Sequence, residues 1–147
     1  RLADLVRARI EKRGGKVEGG PNLAGVCGLL KTRAATLEAL ADQALFFYKP
    51  LERDAEAVKA ALADGNREAL IDFRDGIAQL ADFNAQAIYG VIKAVMEKRG
   101  IKMGPIATPL RVLVCNVDKT PQIDKTLELF GKDEVLARIE SGLAMAA

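Results

Sequence analysis

The chain has no histidine and no tryptophan, and its one serine is Ser141. These gaps exclude Ser-His and Cys-His nucleophilic machinery and remove the commonest zinc ligand. Only two cysteines occur, Cys27 and Cys115. They lie far apart, each within an apolar helical pattern, so two buried reduced thiols are expected rather than a disulfide framework. Long hydrophobic runs are missing too. Stretches such as Ala44–Tyr48 and Val112–Cys115 are far too short to span a bilayer, and no signal peptide is present. There is no Gly-rich phosphate loop, since Lys102-Met103-Gly104 lacks the Ser-Lys that would make one. Carboxylate pairs such as Asp72 and Asp75 sit at i, i+3 on helix faces, with nothing to arrange them around a substrate. No catalytic residue and no metal site is therefore assigned, and no membrane contact is expected.

What is present is ordinary globular material. Of 147 residues, 50% are hydrophobic and 29% charged, enough for one domain or two small ones sharing a core. The first residue is Arg1 rather than methionine, so a processed chain or a piece of a longer protein is expected. Net charge is only +2, but it is unevenly spread. Residues 1–33 hold eight basic and three acidic residues, a net +5; residues 34–90 hold five and ten, a net −5; residues 93–119 hold six and two, a net +4. Two basic blocks flanking an acidic middle allow a polyanion to bind one face. The plainer explanation is solvated helix faces.

Hydrophobic spacing is helical throughout. Leu2, Leu5, Val6 and Ile10 open a first helix that Gly14-Gly15 ends. After a Gly-rich connection, a second helix begins at Asn22 on Leu23, Val26, Cys27 and Leu30. Thr36 serves as N-cap of a third, on Leu37, Leu40, Ala41 and Ala44. Glu52–Ala63 and Ala69–Leu80 form two middle helices around a turn at Asp64-Gly65-Asn66. Asp82-Phe83-Asn84 is the best boundary, with Asn84 as N-cap of a helix on Ile88, Val91, Ile92, Val95 and Met96 that Lys98-Arg99-Gly100 closes. Val112–Val114 is read as helical because no partner strand exists. Ile123, Leu127 and Phe130 form a further stripe ended by Gly131, and Asp133–Leu143 is a last amphipathic helix. The expected fold is all-α, in two consecutive helical subdomains, 1–82 and 83–147.

The stretch Met103–Pro121 draws the most attention. Its two Thr-Pro pairs, Thr108-Pro109 and Thr120-Pro121, read as N-cap followed by first helical residue. Two positive helix N-termini near Arg111 and Lys119 would suit an anion or a polar ligand edge. Arginine can grip a base edge with its planar fork and also stack on a base, so Arg33, expected at a helix junction, and Arg111 suit single-stranded RNA. Against this, an isolated Arg33 or Lys119 is ordinarily a surface cation, and Arg111 can lay its stem on the core with its charge in water. The alternative is an all-helical protein-interaction or scaffold domain without RNA binding.

The segment Lys102-Met-Gly-Pro-Ile-Ala-Thr-Pro-Leu-Arg-Val-Leu-Val-Cys-Asn116, then Thr120-Pro121 and Leu129-Phe-Gly-Lys132, resembles the C-terminal signature of bacterial glutamate–tRNA ligases. Leu30-Lys-Thr-Arg-Ala-Ala-Thr-Leu37 is similar to the Arg-x-x-Thr-Leu segment of the same family. The likeness extends over essentially the whole chain and is strongest over residues 84–140. It departs from the pattern at Asn116, where glycine is usual, and at Lys119, where members can carry an acid.

The resemblance implies an anticodon-binding region of two α-helical subdomains that grip the anticodon loop of glutamate tRNA, in a cytoplasmic monomer. The catalytic Rossmann domain of such ligases, with its HIGH and KMSKS motifs and its use of ATP and Mg, is expected to lie outside these residues. The chain itself should hold no cofactor and perform no catalysis. By the same resemblance, Arg33 contacts the third anticodon base and helps exclude glutamine tRNA. Arg111, Lys119, Thr120, Pro121 and Ile123 line the site for the other bases.

Overall fold

The computed structural model describes residues 2–32, 34–49, 53–116, 120 and 122–145. Among them there is helix and no strand, as the spacing of apolar residues requires. Arg33, Lys119 and Pro121 lie outside the described residues. The chain divides into two compact units, residues 1–51 and 52–147.

The first unit holds α1 (Leu2–Lys12), α2 (Leu23–Leu30), α3 (Leu37–Ala44) and a 3₁₀ turn over Leu45–Phe47. Thr36, expected as a cap, acts as one: its Oγ1 accepts from the Ala39 N–H at 3.0 Å, and Asn22 Oδ1 likewise accepts from the Gly25 N–H at 2.9 Å. Each satisfies one of the donors that a helix start leaves unpaired. α1 packs on both α2 and α3, through Val6, Ile10, Val26, Leu30 and Leu40, all buried. Over that seam Arg9 Nε meets Glu38 Oε2 at 2.6 Å and Arg13 Nε meets Asp42 Oδ1 at 2.7 Å. The Glu38 carboxyl is held below its usual range by hydrogen bonds from Arg13 and then Arg9. The Gly-rich connection is tied down by Tyr48, whose hydroxyl donates to the Pro21 carbonyl at 2.9 Å.

The second unit holds α4 (Ala55–Ala61), α5 (Asn66–Ala78), α6 (Ala85–Arg99), α7 (Gly104–Leu110), a wider π turn over Arg111–Cys115, α8 (Ile123–Phe130) and α9 (Lys132–Met145). Asn84 caps α6 through the Ala87 N–H at 2.8 Å. Gly100 ends that helix with φ +62°, a left-handed conformation that glycine adopts without a Cβ penalty.

The compact units part between residues 51 and 52, not near residue 82. The reason is α5. Leu70, Phe73 and Ile77 have no exposed surface, and α5 buries them by packing against α6, α7 and α9. The Asp82-Phe83-Asn84 break is therefore a turn inside the second unit. A local helix boundary and a core boundary are different things, because only the second depends on where an apolar face finds its partner.

Candidate functional site

Arg111 stands at the start of the π turn that follows α7. The local chain explains that turn. Pro105 occupies the first turn of α7, where its missing N–H costs nothing. Pro109 lies further along the helix and cannot donate back to the preceding turn. Past it the backbone widens over Arg111–Cys115 and stops at Asn116, whose φ is +57° and whose N–H reaches the Val112 carbonyl at 3.1 Å. Such one-turn widenings are uncommon and tend to mark functional positions.

This corrects the expectation for both Thr-Pro pairs. Thr108-Pro109 does not open a helix; α7 has already begun at Gly104. Thr120 is not the cap of α8 either. Gln122 takes the N-cap position, without a side-chain hydrogen bond. Neither Thr-Pro pair opens a helix.

Thr120 has another task. Arg111 Nε donates to Thr120 Oγ1 at 2.9 Å, so two of the residues expected in the site are brought into contact. Both are half-buried. Among the described residues, the terminal nitrogens of Arg111 hydrogen-bond to none, and Nε is the one nitrogen of the guanidinium that is engaged. Ile123 belongs to the core, with 1% of its surface exposed. Its side chain anchors the first turn of α8 and offers no face to a ligand. Position 33 falls between α2 and α3, where a helix junction was expected.

The cations around Arg111 have structural partners that the sequence did not announce. Arg53 Nη1 donates to the Leu113 carbonyl at 3.0 Å and to the Arg138 carbonyl at 2.8 Å, and Nη2 bonds Ser141 Oγ. Arg138 Nη1 donates to the Val114 carbonyl at 2.7 Å, its Nε to Glu134 at 2.7 Å, and its guanidinium lies 4.5 Å from the centre of the Phe130 ring. In sequence Glu134–Arg138 looks like a surface i, i+4 pair, and nothing points to a carbonyl 24 residues away. In the basic block before Arg111, Arg99 Nε pairs with Asp72 at 2.7 Å and Lys98 with the same carboxylate at 3.4 Å. Part of each basic block is thus neutralised within its own unit, while Lys93 and Lys102 remain exposed.

Neither cysteine is placed to act as a nucleophile. Both cysteines are unpaired and buried, and burial pushes the Cys115 thiol up to about 12 despite Arg138 and Arg111 nearby. A thiol held protonated is a poor nucleophile. Among the described residues no group of acidic and cysteine side chains could hold a metal ion, and no helix is long and apolar enough to cross a membrane. A groove of about 450 Å³ runs between α5 and α6, lined by Asp72, Gly76, Ala87, Val91 and Lys98 among others. None of the described residues expected in the site, Arg111, Thr120 and Ile123, lines it.

Comparison with known proteins gives this geometry its context. The chain is 48% identical over 139 residues to a glutamate–tRNA ligase of Bordetella petrii, which covers 94% of the chain and 29% of that protein. It is 41% identical over 143 residues to one of Thiobacillus denitrificans, covering 97% of the chain and 30% of that protein. The chain therefore spans just under a third of the length of these relatives. A solved glutamate tRNA ligase from Elizabethkingia meningosepticum shares the fold with a TM-score of 0.81 at 23% identity, over 99% of this chain and 29% of that one. A glutamate–tRNA synthetase from Elizabethkingia anophelis aligns at a TM-score of 0.73 and 25% identity, over 97% and 28%. A family model described as an anticodon binding domain matches residues 1–143. The chain belongs to the anticodon-binding domain family.

Proposed function

We propose that this chain is the anticodon-reading part of a glutamate–tRNA ligase, and that its partner is the anticodon loop of glutamate tRNA. The observation that carries the proposal is the anticodon-binding family match over residues 1–143. The relatives named as glutamate–tRNA ligases support the choice of tRNA. The Arg111–Thr120 pair supports the choice of site, since a guanidinium engaged through Nε still carries two terminal nitrogens that can donate. Such a fork can take a base edge in a bidentate grip or bridge phosphate oxygens. Lys119 and Pro121 flank Thr120 in sequence and complete the proposed segment, and Ile123 acts on it only by anchoring α8. Arg33, in the first unit, is proposed to read the third anticodon base. Glutamate activation, with ATP and Mg²⁺, is assigned to a part of the ligase outside these residues, and the proposal puts the protein in the cytoplasm.

Titration of the 147-residue chain with glutamate tRNA at several salt concentrations tests the proposal. Affinity should fall linearly on a log–log plot, by roughly one unit of slope for each phosphate neutralised. A chain that binds no tRNA even at low salt, or a partner whose binding ignores salt, speaks for a protein-interaction domain instead.

The role of Arg33 has its own test. In the full-length ligase, Arg33→Gln should narrow the preference for glutamate over glutamine tRNA, because an amide cannot reproduce the charged fork. One lost bidentate base contact corresponds to about 1–3 kcal/mol of discrimination. Aminoacylation of both tRNAs measures it, and an unchanged ratio removes Arg33 from the site.

A further inference from the structure

The π turn that carries Arg111 ends in carbonyls, and a helix end leaves its last carbonyls without backbone donors. Here two of them are taken by cations from elsewhere in the second unit. Arg53, just before α4, holds the Leu113 carbonyl at 3.0 Å, and Arg138, on α9, holds that of Val114 at 2.7 Å. Positive charge at the negative end of a helix is favourable electrostatically as well as by hydrogen bonding.

Both guanidiniums are themselves fixed. Arg53 also bonds the Arg138 carbonyl and Ser141 Oγ. Arg138 is held by Glu134 on one side and lies over the Phe130 ring on the other. Gly142 makes the approach possible. A Cβ at that position would lie 2.5 Å from Leu113 Cγ, closer than any real contact, so α9 rests directly on the turn. Burial and the neighbouring Arg138 lower the Arg53 pKa, yet an arginine remains charged at neutral pH.

The structure assigns Arg53 and Arg138 as positioning residues for Arg111: by capping the Leu113 and Val114 carbonyls they fix the turn that holds Arg111 against Thr120. This rests on the proposed role of Arg111 in RNA recognition, but the positioning itself can be observed without RNA. The two arginines are spent on the protein backbone. They are not further phosphate contacts, although their charge and their neighbourhood would suggest it.

The test uses the whole 147-residue chain. Hydrogen exchange of the Arg111 Nε–H is followed by ¹⁵N NMR in the wild type, Arg53→Met, Arg138→Met and Arg138→Lys. Exchange should accelerate about 3- to 10-fold in the two methionine variants, the range that one lost hydrogen bond allows. Backbone amides of α5 and α6 should keep their rates, which a general loss of stability would not permit. Arg138→Lys should restore only part of the protection, since one ammonium cannot serve Val114, Glu134 and the Phe130 face together. If Arg138→Met does not fold, Arg138→Lys and Arg53→Met carry the same measurement. Unchanged Nε–H exchange in the folded variants overturns the assignment.

A second arm reads tRNA. Arg138→Met should weaken binding several-fold in the wild-type background and hardly at all once Arg111 is alanine, with the salt slope unchanged. Additive losses with a shallower slope would mean that Arg138 touches phosphate itself, and would also overturn the assignment. If no variant and not even the wild type binds tRNA, the proposed function fails while the Nε–H result still decides the positioning.

Discussion

Arg111→Ala is expected to lower the affinity of the chain for glutamate tRNA by roughly 5- to 150-fold, equivalent to about 1–3 kcal/mol. The magnitude follows from where the side chain is held. Its Nε is engaged with Thr120, so the fork approaches an acceptor already oriented, and little side-chain entropy remains to be lost on binding. A freely rotating surface arginine would give up more of that energy to its own ordering. Arg111→Lys separates the two contributions: the charge stays, so the salt slope should be nearly preserved, while the planar bidentate geometry goes and with it much of the affinity. Thr120→Val should fall between wild type and Arg111→Ala, because it frees the fork without removing it. Fluorescence titration with labelled tRNA reads all three, with circular dichroism confirming that helix content is retained. An Arg111→Ala chain that binds within a factor of two of wild type would take Arg111 out of the site.

Phe73→Ala should be the most destabilising single change among those considered, by about 3–5 kcal/mol. Among the described residues Phe73 is the largest side chain with no exposure, and it sits on α5, the helix that packs on α6, α7 and α9 together. Removing the ring leaves a cavity that three neighbours cannot close by moving toward it at once. Against a typical domain stability of about 5–15 kcal/mol, that is roughly a fifth or more of the whole. Urea denaturation should show a lower midpoint with an unchanged slope, the mark of altered stability rather than an altered unfolded state. Tyr89→Ala is the control. Tyr89 is 44% exposed on α6, and its loss should change stability by no more than about 0.5 kcal/mol. A Phe73→Ala chain as stable as Tyr89→Ala would mean that α5 is not the centre of the second unit.

How far the sequence could be read depended on the range of the interaction. Thr36 and Asn84 were identifiable as caps because a cap bonds an N–H only three residues away. Gly100 and Gly131 were readable as helix ends for the same reason, and both show positive φ. The Thr-Pro pairs misled because their local signal is genuine but not decisive. Pro105 had already opened α7, and Thr120 found a partner nine residues back in Arg111. Arg111 and Thr120 were both candidates, yet their contact was not foreseeable, since it needs the π turn to bring them together. Arg53 and Arg138 went unnoticed because their acceptors are carbonyls up to 85 residues away, and backbone carbonyls have no signature in a sequence.

The sequence by itself determined the all-helical class, the helix ends with side-chain or glycine caps, the absence of histidine-based chemistry, and the resemblance to an anticodon-binding region. Each of these is set by residue identity or by spacing within a turn or two. The tertiary structure decided where the two compact units part, that Ile123 is core, and which cations are spent. Arg9, Arg13 and Arg99 meet carboxylates, Arg53 and Arg138 meet carbonyls, and Arg111 meets the Thr120 hydroxyl. A charged side chain carries the same formal charge in all of these places. Only the packing of distant helices fixes whether its partner is already within the chain.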